Sequence, residues 1–437
     1  MENSMVYAES LKKLIQCPTV TNSGKEYFEK FHAVLAEQFP LVHKNCEIFH
    51  IGGDALLYKM KGKSADRPIV LMAHQDVVPA VGGDWKFEPF SGTIEDGKIY
   101  GRGTMDCKNS LFYTSQAVEE LIAEGFVPEH DIYLSYSDNE ETSGLGVVYA
   151  RDWFKSRGIV PALTVDEGGT ILEKVFPGML KPFAVIGIVE KGYADIKFIA
   201  RSKGGHSSQP PKHTPIARLS QFVNYCETHK IFDRKMTPAV HDMLIELSTG
   251  LSGVLKFVTK HINIFGGLVC KVLPKLTPMG GALFGTTMTF TMSGGAAAPN
   301  IIPQEAYVIA NLRFAPGDEK SDCIEKLGEI AQKYDIEMEV LTARNASPLV
   351  DTKSAEYKFF VDTMHQTFPE IGVAPYLMCG GTDCRTMQEI CPVALRCTPC
   401  KLSQSQLESM HASNENVDID TLENGIKFYK NLIKNFK

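Results

Sequence analysis

The sequence lacks a segment that could cross a membrane. No run reaches the length of about 18 consecutive apolar residues that a spanning helix needs. Lysines and glycines interrupt the most apolar stretch, residues 251–285. Residues 1–20 contain neither the apolar core nor the cleavage site of a secretory signal peptide. We therefore expect a cytoplasmic protein that has no membrane partner.

A large excess of basic residues is also missing. The 437 residues include 45 Lys and Arg against 52 Asp and Glu, which gives a formal net charge of −7. Proteins that bind nucleic acid normally present a basic surface, because contacts with phosphate supply much of their affinity. The charge balance therefore argues against nucleic acid as the main partner.

The cysteines do not form the paired motifs of disulfide-rich or four-thiolate zinc proteins. The sequence contains eleven of them, an odd number scattered along the chain, which indicates reduced thiols. Cys397 and Cys400 form a single C-x-x-C motif. Because no second such motif exists to complete a four-sulfur zinc site, a redox or zinc role for this pair is the minor interpretation.

The chain alternates strand and helix patterns, and its length predicts two domains. The first third has a βαβ rhythm, which predicts an α/β fold with a mostly parallel central sheet. From about residue 190 the order becomes strand–helix–strand–strand–helix–strand, the pattern of a ferredoxin-like α+β unit. We predict a discontinuous first domain, residues 1–189 and 347–437, and an inserted second domain, residues 190–346. No internal repeat or low-complexity tract is present.

Acidic and histidine side chains follow several of the apolar runs. The run at 69–73 ends on His74 and Asp76, and the other such residues are Asp106, Glu140, Glu141, Asp166, Glu167 and His411. Open α/β sheets form their sites at these strand ends. Taken singly, His74 and Asp76 are consistent with inert polar residues, and Glu140 and Glu141 with a solvated loop. Taken as a set, they favour zinc or another divalent transition metal over calcium.

The set also satisfies the needs of a site with two metal ions. One carboxylate can bridge two ions about 3.5–4 Å apart, which lower the pKa of a shared water and polarise a carbonyl. A further carboxylate that is not a ligand must then act as general base. Glu140 beside Glu141 meets that need, since one of the two can bind metal while its neighbour faces the water.

Nine motifs in this order resemble those of the M20 family of metallopeptidases. They span nearly the whole chain and read HQDVVPA, DWKFEPFSGTIEDGKIYGRGTMDCKNS, SDNEETSG, VDEGG, GGHSSQPP, APNIIP, NLRFAPGD, GGTDCR and MHASNE. HQDVVPA, the W-x-x-x-P-F segment and VDEGG most resemble the carboxypeptidase S branch, which includes N-acyl amino acid hydrolases. The GGTDCR loop is of the family's general form and does not select that branch.

The resemblance implies a di-zinc catalytic domain, with an inserted domain that serves as lid and dimerisation unit. The implied metal ligands are His74 and Asp166 on one ion, Glu141 and His411 on the other, and Asp106 between them. Relatives use either acid type in VDEGG, so Glu167 is the alternative to Asp166. Cobalt or manganese is the alternative to zinc. Cys107 stands where the family often has another acid, and a thiol there would make the site sensitive to oxidation.

The remaining implied roles are catalytic. Asp76 would orient His74, and Glu140 would move the proton. His206 would reach into the partner subunit's site and stabilise the oxyanion. The implied substrate contacts are Asn300, Arg313, Gly380, Gly381, Thr382 and Arg385. The alternatives are a loop histidine at 206, a turn asparagine at 300 and a salt-bridged strand arginine at 313.

Together these roles predict a homodimeric enzyme that hydrolyses the amide next to a free carboxylate, in short peptides or N-acyl amino acids. Two other functions fit the same residues. One is an N-acyl amino acid synthase/hydrolase that works reversibly, and the other is a peptide- or metal-binding homologue without catalysis. Residues 251–285 are expected to form plain lid core, with a role in shaping an acyl pocket as the alternative.

Overall fold

The elements of the fold follow from a computed structural model, which describes residues 2–173 and 178–437. The first part of the chain forms α1 (Glu2–Ile15), α2 (Lys25–Gln38), α3 (Pro40–Asn45), β1 (Glu47–Gly52), β2 (Ala55–Met60), β3 (Ser64–His74), β4 (Thr93–Glu95), β5 (Lys98–Tyr100), α4 (Lys108–Ala123), β6 (His130–Ser137), a 3-10 turn (Glu140–Thr142), α5 (Gly146–Ser156), β7 (Leu163–Asp166) and β8 (Ile171–Leu172).

The middle of the chain forms β9 (Phe183–Glu190), β10 (Tyr193–Arg201), β11 (Gly205–His206), α6 (Pro215–Thr228), α7 (Pro238–Ser248), α8 (Gly253–Lys260), α9 (Ile262–Leu276), α10 (Pro278–Phe284), β12 (Thr287–Gly294), β13 (Ile301–Ile302), β14 (Glu305–Arg313), α11 (Lys320–Gln332) and β15 (Glu337–Arg344). The last part forms α12 (Ala355–Thr367), β16 (Gly372–Met378), α13 (Cys384–Met387), β17 (Ala394–Arg396), β18 (Lys401–Leu402), α14 (Gln404–Ser409), β19 (Asn416–Asp418) and α15 (Asp420–Asn435).

The large sheet has a parallel centre. Its strands run in the order β1-β2-β6-β3-β7-β17-β9-β8-β18, with β16 also paired to β9. The pairs β6–β3, β3–β7 and β7–β17 are parallel, whereas β1–β2 and β2–β6 at one edge are antiparallel. The prediction of an α/β fold with a mostly parallel central sheet is confirmed.

Strand β3, at the parallel centre of this sheet, is buried on both of its faces. Its side chains alternate between two buried clusters: Ile69, Leu71 and Ala73 lie in the cluster that includes α4, and Val70 and Met72 in the cluster that includes α5. A strand covered on both faces reads as a continuous apolar run, as the sequence does here. The first polar side chain after this apolar run is therefore His74, at the carboxyl end of β3.

A second, antiparallel sheet has the strand order β12-β14-β10-β15. Helices α6 and α11 supply Phe222 and Leu327 to a separate hydrophobic core over this sheet. The arrangement agrees with the strand and helix order expected for a ferredoxin-like unit. The limits proposed for the two domains, and the work of the second as a lid, stay predictions.

The helices of residues 238–284 lie elsewhere than expected. The buried residues of this segment belong to the core of the large sheet rather than to the core of the antiparallel sheet. They include Val240, Ile262, Cys270 and Phe284. Helix α7 packs against β16 of the large sheet. The expectation that residues 251–285 form plain lid core is therefore wrong, because their buried side chains belong to the core of the large sheet, and α8 and α9 contact α7.

Two further sequence expectations concern the thiols and the membrane. All eleven cysteines are free, including Cys397 and Cys400, as expected of reduced thiols. Within the described residues, every helix is too short or too polar to cross a membrane. The cytoplasmic location stays a prediction.

A fully buried ion pair joins the large sheet to the loop that follows β16. Arg396 of β17 donates from Nε to the Oε1 of Glu190 at 2.8 Å, and Glu190 also accepts from Thr382 Oγ1 at 2.9 Å and from Arg385 Nε at 3.1 Å. Burial alone raises the pKa of Glu190, but Arg396 and Arg385 outweigh it and hold this pKa below its ordinary value.

We expect Glu190→Gln to lower the free energy of unfolding by about 3–5 kcal/mol, because it leaves the buried Arg396 charge without its partner. The measurement is urea unfolding at neutral pH. Glu389→Gln is the matched control, since it removes a half-exposed carboxylate that pairs with Arg151 at 3.0 Å, and its expected cost is below about 1 kcal/mol. Equal losses in the two variants would contradict the assignment.

Candidate metal centre

Neighbouring parallel strands bring the predicted ligands to one edge of the large sheet. Strand β3 ends on His74, β7 ends on Asp166, and β6 leads directly into the turn that carries Glu140 and Glu141. Because β6, β3 and β7 are adjacent and parallel, their carboxyl ends meet at the same edge. This edge of the sheet is where a site is expected in an open α/β fold.

The carboxylate of Asp106 lies between two imidazoles. Its Oδ1 is 2.8 Å from Nε2 of His74, and its Oδ2 is 2.9 Å from Nε2 of His411. Nε2 of His411 is also 3.3 Å from Oε2 of Glu141. Two donor groups therefore share Asp106, one with His74 and Cys107 and one with Glu141 and His411.

The electrostatics of this cluster suit a cation. Hydrogen bonds with Asp106 and Glu141 raise the pKa of His411 to about 10. Burial works to raise the pKa of Asp106, but its bonds to His411 and His74 bring it below the ordinary value. A divalent ion can bind where a protonated imidazole faces a carboxylate, because it displaces the proton between them. The donor set of imidazoles and carboxylates fits zinc or a similar transition metal.

Further carboxylates crowd the same edge. Burial raises the pKa of Asp166 to about 6, and burial together with Asp166 raises the pKa of Asp383 to about 7. The pKa values of Glu140 and Glu167 are also raised well above the ordinary value, chiefly by burial. Clusters of perturbed acids of this kind are typical of functional sites.

The structure leaves both acids of VDEGG close to the cluster. Asp166 accepts a hydrogen bond from the backbone N–H of Cys384 at 2.7 Å. The charges of His74 and Arg396 act to lower its pKa, against the effect of burial. The charges of Asp106 and Glu141 raise the pKa of Glu167, and that of His74 lowers it. Asp166 as ligand, with Glu167 as the alternative, stays a prediction.

Asp76 contacts more than the histidine that it was predicted to orient. Its fully buried carboxylate accepts the backbone N–H of Glu140 at 3.1 Å and of Glu141 at 3.2 Å. Nδ1 of His74 is 3.4 Å from this carboxylate and 2.8 Å from the backbone carbonyl oxygen of Asp76. Asp76 thus fixes the turn of both glutamates as well as the ring of His74.

Glu415, which the sequence did not single out, binds the backbone that leads into Asp106. Its buried carboxylate accepts backbone N–H groups of Gly103 and Met105 at 3.1 Å and 2.7 Å, and the Nη1 of Arg102 at 2.7 Å. The backbone N–H of Asp106 lies 3.3 Å from the same carboxylate. The available signal was an acid four residues after His411 within the MHASNE motif.

Asp383 was also missed, although it stands in the quoted GGTDCR motif. It accepts a hydrogen bond from Ser137 at the end of β6. In the same loop, Gly380 is exposed and Gly381 is partly exposed, while the Thr382 hydroxyl donates to Glu190. Arg385 donates to Glu190 and to the carbonyl oxygens of Asn345 and Lys191. The substrate contacts predicted for this loop stay predictions.

Two basic side chains stack on one tyrosine beside this loop. The guanidinium carbon of Arg313 is 4.7 Å from the ring centre of Tyr193, and that of Arg344 is 5.4 Å from it. A Cβ added at Gly381 would lie 3.3 Å from Nη2 of Arg344. The Nε of Arg344 is buried without a hydrogen-bond partner in the described residues. Sequence reasoning selected Arg313 but missed Arg344, which belongs to no motif.

His206 and Asn300 lie together on a small ribbon, apart from the metal centre. Strand β11 pairs with β13, and the backbone N–H of Ser207 donates to the carbonyl oxygen of Asn300 at 3.0 Å. Nδ1 of the exposed His206 accepts the backbone N–H of Ser208 at 3.2 Å. Among the described residues, no hydrogen bond or ion pair joins this ribbon to the metal centre.

Comparison with known proteins decides the family. The model of peptidase family M20/M25/M40 matches residues 70–435. The chain belongs to this family. The resemblance inferred from the nine motifs is confirmed, and so is the prediction of an enzyme of the metallopeptidase and amidohydrolase class.

Relatives of this M20 protein carry several activities in their names. A probable carboxypeptidase S-like 2 of Dictyostelium discoideum is 34% identical, over 93% of this chain and 79% of its own length. The N-fatty-acyl-amino acid synthase/hydrolase PM20D1 of Homo sapiens is 31% identical, over 99% of this chain and 88% of its own length. The crystal structure of the M20 metallo-carboxypeptidase Sso-CP2 from Sulfolobus solfataricus shares the fold, with a TM-score of 0.72 at 18% identity and 98% coverage of both chains.

We expect Asp76→Asn to weaken metal binding about 10- to 100-fold, which is typical when the partner that orients a ligand is changed. The new amide offers only one acceptor to two backbone N–H donors. Metal affinity is measured by competition with a chromophoric chelator. Asp96→Asn, in an exposed turn, is the matched control and should bind metal as the native protein does. Unchanged affinity in Asp76→Asn would contradict the role given to this carboxylate.

Proposed function

We propose that this M20 protein is a two-metal amidohydrolase that cleaves the amide next to a free carboxylate, in short peptides or N-acyl amino acids. The observation that carries the proposal is Asp106, whose two carboxylate oxygens each face a different imidazole. A carboxylate placed in this way can bridge two ions. The proposed ligands are His74, Asp106, Glu141, Asp166 and His411.

The proposed mechanism assigns one task to each remaining group. Two divalent ions, with zinc as the first candidate, would supply a water of lowered pKa and polarise the carbonyl. Glu140 takes a proton from the attacking water and returns it to the leaving nitrogen. Its backbone N–H is bound to Asp76, which holds Glu140 and Glu141 in fixed relative positions.

Recognition of the substrate is proposed to use the inserted domain. Arg313 suits a carboxylate because its planar guanidinium matches the two oxygens. Asn300 and the glycine loop at 380–381 would add further donors, and Arg344 is a candidate that the structure adds to this group. His206 would stabilise the oxyanion of a partner subunit, which requires a homodimer through the inserted domain.

The first test is release of free amino acid from a panel of dipeptides and N-acyl amino acids. We expect release that a chelator abolishes and added zinc restores. Glu140→Gln should retain its metal and lose about 10²–10⁴-fold in kcat, which is the usual contribution of general acid–base catalysis. Glu141→Gln is the matched comparison and should lose metal together with activity. Turnover in Glu140→Gln at the native rate would refute the assignment of the base.

A second candidate function is synthesis of N-acyl amino acids by the reverse reaction. It is favoured by the relative PM20D1, whose name includes both synthase and hydrolase. The same side chains serve both directions, since each proton transfer is reversible. Formation of product from a free fatty acid and a free amino acid would identify this activity, and hydrolysis alone would exclude it.

A mixing experiment tests whether His206 acts across a dimer. His206→Ala and Glu140→Gln should each be inactive alone. After mixing and exchange of subunits, we expect about a quarter of the native activity, because half of the dimers are mixed and each contains one intact site. Activity that stays at the background of the single variants would place His206 in its own subunit's site or outside catalysis.

A further inference from the structure

Helix α9 presents an apolar face to solvent. Ile264, Leu268, Val272 and Leu276 recur every four residues and therefore line one side of the helix, with exposed fractions of 75%, 59%, 42% and 70%. The opposite side carries Ile262, Gly266 and Cys270, which are buried. The helix is thus apolar both on its buried side, which faces α7, and on the side that faces water.

The neighbouring helices extend this exposed apolar surface. Helices α8 and α10 both contact α9. Val254, Leu255 and Phe257 of α8 and Met279 of α10 are also exposed. We call the eight exposed residues of these three helices the apolar face. An apolar patch of this kind on a soluble protein marks an interaction site.

The charge around the apolar face has one sign. Residues 251–285 contain four lysines and no aspartate or glutamate, although the whole chain has a net charge of −7. The four lysines are exposed, and none has an ion pair with a carboxylate of the described residues. They are Lys256, Lys260, Lys271 and Lys275.

A basic cleft of about 660 Å³ borders the same helices. Lys271 and Lys275 of α9 line one part of it, and Lys230, Arg234 and Lys235 line another. Nearby acids neutralise only part of this charge: Asp233 pairs with Lys230, and Asp318 pairs with Lys235, each at 2.6 Å. The cleft keeps an excess of positive charge next to exposed apolar side chains.

We propose that this face binds the surface of an anionic lipid membrane. Short amphipathic helices with basic flanks lie in the plane of a bilayer, with apolar side chains among the acyl chains and lysines at the headgroups. A second copy of the chain is a poor occupant, because it would bring a face of the same positive charge. The proposal changes the expectation of no membrane partner, which rested on the lack of a spanning segment.

The test is co-sedimentation of the metal-loaded full-length protein with vesicles. We expect binding to vesicles that contain phosphatidylserine and little binding to pure phosphatidylcholine. Lys271→Gln with Lys275→Gln should weaken binding about 30-fold, since each lysine near an anionic surface contributes about fivefold. Leu268→Gln with Val272→Gln should weaken it more than about 10-fold through the loss of buried apolar surface. Val127→Gln with Val160→Gln, also exposed apolar residues, is the matched control and should bind normally.

A fluorescent probe gives an independent readout. Phe257→Trp places an indole on the exposed side of α8, and its emission should move to shorter wavelength when phosphatidylserine vesicles are added. The native protein, which has two tryptophans, provides the background signal. Absence of both sedimentation and a spectral shift would overturn the proposal. It would also be overturned if the α9 variants bind vesicles normally but change the oligomeric state on sizing, since a second copy would then cover the face.

Discussion

The contact of one carboxylate with two imidazoles is the constraint on which the site depends. Asp106 must present its two oxygens to His74 and His411, which lie far apart in the chain and reach the site from β3 and from the loop after α14. The parallel order β6-β3-β7 brings Glu140, Glu141 and Asp166 to the same edge as His74, because adjacent parallel strands have their carboxyl ends on one side. The contact with His411 also requires the last part of the chain to return to the large sheet, as β16, β17 and β18 do.

Assembling so many acids at one edge is unfavourable unless their positions are enforced. Asp76 and Glu415 provide this enforcement, each as a buried carboxylate that accepts backbone N–H groups of the segments that carry the ligands. A carboxylate used in this way is stabilised by several donors, and it fixes backbone rather than a single side chain. The geometry of the metal centre is therefore set mainly by acids that are not themselves proposed to bind metal.

Much of this arrangement was predictable from the sequence. An apolar run that ends on His74 predicts a strand covered on both faces with a polar group at its end, and the motifs predict which distant residues join it. Such patterns report local periodicity and residue type. They do not report which backbone N–H a buried acid will bind, so the partners of Asp76, the role of Glu415 and the position of Asp383 required the structure.

The placement of residues 251–285 failed for a related reason. Apolar content shows that a segment has surface to bury, but not which core buries it. The segment lies between strands of the antiparallel sheet in the chain, and proximity in sequence favoured that sheet. Packing of α7 on β16 takes the segment to the large sheet instead. Arg344 escaped prediction because its stacking on Tyr193 depends on strand pairing that no short motif encodes.

Several contacts join the segment between β9 and α12 to the large sheet, and two of them bear on its position. At the first, Glu190 and Ser347 exchange backbone and side-chain hydrogen bonds of 2.9 Å where the chain leaves and returns. At the second, α7 lies against β16. Because β10 follows β9 directly and α7 lies between α6 and β12, these two contacts fix the segment that carries the ribbon of His206 and Asn300 both at its ends and in its middle.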